Sequence, residues 1–373
     1  MTRAIKMIDL PAEYLQLQSQ LLPKIDALLL SGNYIQGNAV KEFEKELSIY
    51  LNVKHVISCG NGTDALQIAL MGLNIKAGDE IIIPAFSYVA VIEVICLLGA
   101  KPVLVDVDPT YFQLDNHLVE QAITSKTKAI IPVHLFGQCT NFDELLKIAK
   151  QHNIYVIEDT AQALGAKNHK NQFLGTIGDI GCTSFFPTKN LSCFGDGGAL
   201  FTNDDELAKK IRMIANHGQS KKYHHEIVGV NSRLDSIQAV VLSHKLPLLN
   251  TNLQKKKEIA HLYINLLEKE PNIELPKASE YTEASWHQFT IKVKDGLRNP
   301  LKTFLQENGI DAMVYYPKSL GQQTAYQHFY SSKNLVSDQL CTEVLSLPIH
   351  PLLTEADIIY ICKNIHNFFN AES

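Results

Sequence analysis

The chain has 373 residues, 46% of them apolar and 20% charged, and a formal net charge of -5. That is length and apolar content for about two domains of roughly 150 residues each, which excludes a disordered chain and a small stapled scaffold. Its 34 basic and 39 acidic residues are interspersed, so no polybasic stripe is offered to nucleic acid, and no apolar run approaches the roughly 20 residues a bilayer requires.

From Val53 to Thr202 short β-branched runs alternate with helix-length amphipathic segments. Strands are predicted at Val56–Ser58, Glu80–Ile83, Pro102–Val107, Lys128–Val133, Tyr155–Glu158, Cys182–Phe185 and Ala199–Thr202. Helices are predicted at Thr63–Gly72, Val89–Leu98, His117–Ile123 and Asn141–His152. Such alternation is the pattern of a mainly parallel sheet with helices on both faces, a three-layer α/β architecture whose ligands sit at the carboxyl ends of the strands. Helices follow at Asp204–Ala215 and Ser232–Lys245, then a polar, Lys-rich stretch at 250–258. A strand at Gln288–Val293, a helix at Pro300–Asn308, extended chain at Ile310–Tyr316 and a terminal helix at Glu355–Phe369 describe a smaller α+β unit. The expected division is 1–245 and 246–373.

Three places can carry chemistry. At Ser58–Leu66 a strand ends, small residues turn the chain and a helix starts near Thr63. Free N–H groups and the positive end of a helix dipole there suit a phosphate, though the same turn also reads as an ordinary N-cap by Thr63 or Asn61. At Val156–Gln162 two carboxylates, Glu158 and Asp159, end an apolar strand. A buried acid is costly without a cation or strong donors, so either a ligand meets Asp159 or it caps the next turn. At Thr183–Asn190 a lone lysine, Lys189, follows an apolar strand beside the Gly195-Asp196-Gly197-Gly198 turn, where desolvation would free its amine as a nucleophile.

A phosphate cradle, a strand-end acid and a desolvated lysine are the groups that pyridoxal phosphate requires. The motifs N-G-T-D-A-L, P-A-F-S-Y-V-A at 84–90, V-I-E-D-T-A-Q-A at 156–163, S-F-F-P-T-K-N at 184–190 and G-D-G-G-A at 195–199 resemble those of the DegT/DnrJ/EryC1/StrS sugar aminotransferases. The resemblance continues through N-H-G at 216–218, G-V-N-S-R-L-D-S-I-Q-A at 229–239 and S-L-P-I-H-P at 346–351, nearly the whole chain.

It implies a fold-type I pyridoxal phosphate transferase, aspartate aminotransferase-like. Lys189 would hold the cofactor as a Schiff base and, once released, shuttle the proton. Asp159 would pair with the pyridinium nitrogen, Gln162 would hydrogen-bond the phenolic oxygen and Tyr88 would stack on the ring. Gly62, Thr63 and Ser184 would hold the phosphate, with Asn231 reaching it from the neighbouring subunit, so that a homodimer completes each site. Relatives with histidine at the Lys189 position act as dehydratases; lysine favours amino transfer from L-glutamate to a nucleotide-linked keto-sugar.

The run at 217–235 is similar to enzymes that aminate carbon 3 of UDP-linked 2-acetamido-3-oxo-glucuronate, which implies a carboxylate contact for Arg233 and a place in bacterial surface-glycan (O-antigen) synthesis. Val314-Tyr315-Tyr316-Pro317 departs from those enzymes, which carry histidine where Tyr315 stands. With Tyr315 and Tyr316 lining the substrate, dTDP-linked 3-keto-6-deoxyhexoses stay open. So does a regulatory relative that keeps the cofactor or a sugar nucleotide without turnover. A dinucleotide-binding dehydrogenase fits poorly, since no G-x-G-x-x-G follows the first strand.

Seven scattered cysteines without a C-x-x-C pair predict buried thiols rather than disulfides or zinc, and His224 and His225 lack the spacing of metal ligands. No metal is expected. Met1–Lys6 lacks a secretory h-region, so the chain is expected in the cytoplasm.

Overall fold

The computed structural model describes residues 4–330 and 335–372. Helices α1 (Leu10–Ser31) and α2 (Asn38–Leu51) lead into β1 (His55–Cys59). Alternation follows through α3 (Gly62–Gly72), β2 (Glu80–Pro84), α4 (Ala90–Leu97), β3 (Lys101–Val105), α5 (Asn116–Ala122), β4 (Thr127–Ile130), α6 (Phe142–His152) and β5 (Tyr155–Asp159). Next come β6 (Lys167–Asn168), β7 (Ile180–Ser184), β8 (Gly198–Thr202), α7 (Asp205–Ala215), the hairpin β9 (Gln219–Lys221) and β10 (His224–His225), then α8 (Ser236–Lys245) and α9 (Leu249–Leu267). The chain finishes with β11 (Ile273–Glu274), β12 (Thr282–Glu283), β13 (Phe289–Val293), α10 (Arg298–Glu307), α11 (Leu335–Glu343), β14 (Val344–Leu347) and α12 (Glu355–Glu372).

The large sheet has the order β1-β8-β7-β5-β4-β2-β3. Strands β3, β2, β4, β5 and β7 run parallel, and β8 lies antiparallel between β7 and β1. This is the expected mainly parallel sheet covered on both faces. Its strands alternate: Ile81 and Ile83 join the core under α3, α4 and α7, whereas Ile82 joins the core formed with α5 and α6. Both faces are apolar, and that is why these runs read as nearly continuous hydrophobic strands.

The register places the functional edge. Asp159 ends β5 and pairs with Cys182 of β7, whose last residue, Ser184, lies opposite Gly198 at the start of β8. Cys59, the end of β1, lies across the same glycine. The carboxyl ends of β1, β5 and β7 therefore share one rim of the sheet, where ligands of open α/β folds sit.

Two stretches differ from the pattern. Residues 232–235 are extended, Asp235 bridging to Ile35, so α8 begins at Ser236 and not at Ser232. The Lys-rich stretch at 250–258 is the first half of α9, whose buried face includes Leu249, Lys256, Ile259, Ala260, Tyr263 and Leu267. A second core forms where α9, α10 and α12 cover the antiparallel β11-β13-β14 sheet. Ile5 lies in this core and bridges to Ile310. Trp286 stacks on Phe289 there, ring centroids 6.1 Å apart. Among the described residues no helix is long and apolar enough to cross a membrane.

Candidate active site

The two acids that end β5 have different partners. Glu158 is fully buried and accepts from the N–H groups of Gly175, Ile177 and Gly178, each at 2.7 Å, and lies 2.9 Å from His134 Nε2. Four donors satisfy that carboxylate within the chain, so Glu158 anchors the strand end. Asp159, 8% exposed, accepts among the described residues from the Ala161 N–H, at 3.0 Å. Burial pushes its carboxyl above the usual range, against the opposing pull of that bond and of Lys189 and His134. One oxygen thus caps the turn, and among the described residues no cation forms an ion pair with the carboxylate.

The cradle is made by backbone contact. Asn61 is the N-cap of α3, its side chain accepting from the Asp64 N–H at 2.8 Å. Ser232 stitches the turn, taking the Gly60 N–H at 2.9 Å and donating to Asp64 at 2.6 Å. The first-turn N–H groups of Gly62 and Thr63 have no carbonyl of their own helix to bond. Gly62 approaches Ser184 so closely that a Cβ would lie 2.7 Å from Ser184 Cβ, and a Cβ on Gly198 would lie 2.4 Å from Asn61 O. Only glycine permits this meeting of α3, β7 and β8. Gly62→Ala should therefore weaken pyridoxal phosphate binding at least about ten-fold, read as a shifted absorbance titration, by forcing Ser184 out of the cradle.

Lys189 follows β7 in a turn closed by its own N–H to Phe186 O at 2.8 Å. The side chain is half-buried, and desolvation pulls its amine down to about 8, partly opposed by Asp159. At that value about half of the amine is neutral at pH 8, against a few parts per thousand for an ordinary lysine. The strand-end acid and the lysine thirty residues later are thus electrostatic neighbours.

Other expected residues divide into two groups. Gln162 stands beside Asp159, its Oε1 accepting from the Phe136 N–H at 3.0 Å and its Nε2 donating to Tyr316 Oη at 3.0 Å. Tyr316 lies 6.1 Å, centroid to centroid, from both Tyr88 and Phe86, and 5.8 Å from Tyr315. Burial raises the Tyr316 phenol well above its ordinary value. Tyr88 is exposed on the open side of this group. Arg233 instead lines a separate cleft of about 670 Å³ with Lys41, Glu44, Lys209 and Arg212, its Nη1 3.4 Å from Asn216 Oδ1. Asn231 is exposed and bridges to Asn216. One chain therefore gathers Asp159, Gln162, Lys189, Tyr88, Tyr315 and Tyr316 around one rim, and holds Arg233 in another cleft. The sequence reading missed His134, Ser232 and Phe136, which act through backbone and charge rather than through motifs.

The DegT/DnrJ/EryC1/StrS aminotransferase family model matches residues 16–366. The chain belongs to this family. It is 44% identical to UDP-2-acetamido-2-deoxy-3-oxo-D-glucuronate aminotransferase of Pseudomonas aeruginosa, across 97% of this chain and all of that one. It is 42% identical to a pleiotropic regulatory protein of Geobacillus stearothermophilus, over 98% of both. Among solved structures, NtdA of Bacillus subtilis with bound cofactor PMP is 31% identical, with a TM-score of 0.90 over 99% of this chain and 86% of that one.

Proposed function

We propose that this sugar-nucleotide aminotransferase moves an amino group from L-glutamate to carbon 3 of a nucleotide-linked 3-keto sugar, UDP-2-acetamido-3-oxo-glucuronate being favoured, in bacterial surface-glycan synthesis. The observation that carries the reading is the buried Asp159 carboxylate beside a depressed Lys189 amine, next to a cradle where a Cβ has no room.

These residues fit pyridoxal phosphate. The acid lacks a cation that a protonated pyridine would provide, the α3 N-terminus and Ser184 suit a phosphate, and Tyr88 offers an exposed ring face. When bound, the cofactor supplies an aldehyde to carry nitrogen and a ring that draws electrons. Lys189 Nζ would hold that aldehyde covalently and, once released, take a proton from the substrate carbon and return it one position away. Asp159 would stay ionised against the ring nitrogen. Gly62, Thr63 and Ser184 would fix the phosphate. Gln162 has its Oε1 committed to Phe136, so its remaining N–H is oriented for the phenolic oxygen.

Asn231 would act in the partner's site of a homodimer. Its exposure supports this, as do exposed Leu30, Tyr34 and Ile35 on the α1–α2 segment that bridges to Asp235. Arg233 would likewise meet the sugar carboxylate from the second subunit. The Pseudomonas relative supports the uronate, and Tyr315 in place of histidine supports the dTDP-linked 3-keto-6-deoxyhexose alternative. The Geobacillus relative supports a regulatory reading.

The test offers a panel of keto-sugar nucleotides to the chain after it has reacted with glutamate. UDP-2-acetamido-3-oxo-glucuronate should react fastest. A dTDP-linked 3-keto-6-deoxyhexose reacting faster would reassign the substrate. Failure of glutamate to shift the absorbance of the yellow protein at all would leave the regulatory reading.

A further inference from the structure

Helix α9 carries a lysine where its own pattern calls for an apolar residue. Leu249, Leu253, Lys256, Ala260, Tyr263 and Leu267 follow alternating steps of four and three, the spacing of a buried helical stripe. Lys256 is 5% exposed, and its Nζ donates to Asn190 Oδ1 at 2.9 Å. Among the described residues no carboxylate forms an ion pair with it. Burying a cation in a helix stripe is unfavourable unless its hydrogen bond serves something.

Asn190 is the residue after Lys189, and its Nδ2 reaches Leu164 O at 3.4 Å, just past Gln162. A second buried lysine does similar work two residues on. Lys245 donates to Ser192 Oγ at 3.0 Å, pairs with Glu13 at 3.0 Å and lies 4.7 Å from the Phe194 ring centroid. A cleft of about 90 Å³, lined by Asp9, Glu13, Lys189, Asn190, Lys256 and His350, opens on this side of the loop. Leu191 anchors the far side of the loop in the core with Leu242 and Leu249, while on the cleft side polar links from α8 and α9 hold Asn190 and Ser192.

We propose that Lys256 is a positioning residue for Lys189, holding the 187–192 loop against α9 through Asn190. The contact stands on geometry alone; its catalytic consequence rests on the amino-transfer reading. Released, the loop would move into the cleft and let water reach the Lys189 amine. Since desolvation is the main cause of that amine's depression, its acidity reports the loop's position. The charged and titratable groups around the pair are Asp159 and His287 near Lys189, and Asp9, Glu13, Lys245, His287 and His350 near Lys256.

Competitive acetylation of the full chain without added cofactor, followed by peptide mass spectrometry, reads Lys189's titration directly. Lys256→Met should raise its midpoint by at least half a unit, about a three-fold loss of neutral amine near pH 7. Lys256→Arg, which keeps charge and donors, should restore it. Asn190→Ala should match Lys256→Met, and the double variant should add nothing further. A Lys256→Met profile superimposed on the parent, or additive effects in the double variant, would overturn the proposal. If Lys256→Met does not fold, an unchanged profile in Asn190→Ala overturns it equally. A parent chain that never takes up pyridoxal phosphate would sink the amino-transfer reading and leave these profiles interpretable.

Discussion

Replacing Lys189 by alanine should lower amino transfer by at least about a thousand-fold while the protein stays folded, because one amine both anchors the cofactor and carries the proton. The fold should survive: the side chain is half-buried, and among the described residues no hydrogen bond of its Nζ ties elements together. Loss of an amine that is desolvated in the folded chain also removes a term that opposes folding. With its folded value near 8 against 10.5 unfolded, the parent gains stability as pH rises between those values, since the unfolded chain then binds more protons. Lys189→Ala should lack that gain in thermal melts from pH 7.5 to 10. Pyridoxal phosphate should still bind, held by the phosphate cradle, but borohydride should no longer fix it to the chain. Sustained turnover within ten-fold of the parent would contradict the assignment.

Asp159→Asn should cost on the order of a hundred-fold in turnover, since a neutral amide cannot keep a ring nitrogen charged. The stability effect has a definite sign. In the cofactor-free chain the carboxyl titrates above its unfolded value of about 4, so the folded parent holds the extra proton and loses stability as pH rises through the folded value. The amide does not titrate, and that loss should be missing from melts of the variant. Cofactor should then stabilise the parent more than the variant at pH 7, because only the parent gains a partner for a buried charge. Equal stabilisation of both would argue that the acid does not face the ring.

Much of the rim was legible in the sequence because its chemistry is local. Strand, small-residue turn and helix at 58–66, and the carboxylates at 158–159, can be read without knowing what packs against them. Which carboxylate is available could not be read: Glu158 is satisfied by N–H groups seventeen to twenty residues later and by His134 on a neighbouring segment. The tight meeting of Gly62 with Ser184 likewise depends on the order of β1, β8 and β7, which no local pattern states.

Helix α9 shows the opposite failure. Lys255, Lys256 and Lys257 look like a solvated run, and one of them occupies a slot in the buried stripe, hiding the helical period. Helix α8 starts four residues later than the sequence pattern suggests, because the Ser232 hydroxyl is spent on Gly60 and Asp64. Tertiary hydrogen bonds overrode a local preference.

Ile5 sits in the core of the final third of the chain, bridged to Ile310. A ribosome adding about 5–20 residues per second would need about 15–60 s to make the intervening 304 residues. The segment at Ile5 has no mate during that interval, whereas all the strands of the 55–202 sheet are made about a hundred residues before Ile310. Formation of the large sheet is thus separable in time from closure of the second core, which waits for Ile310.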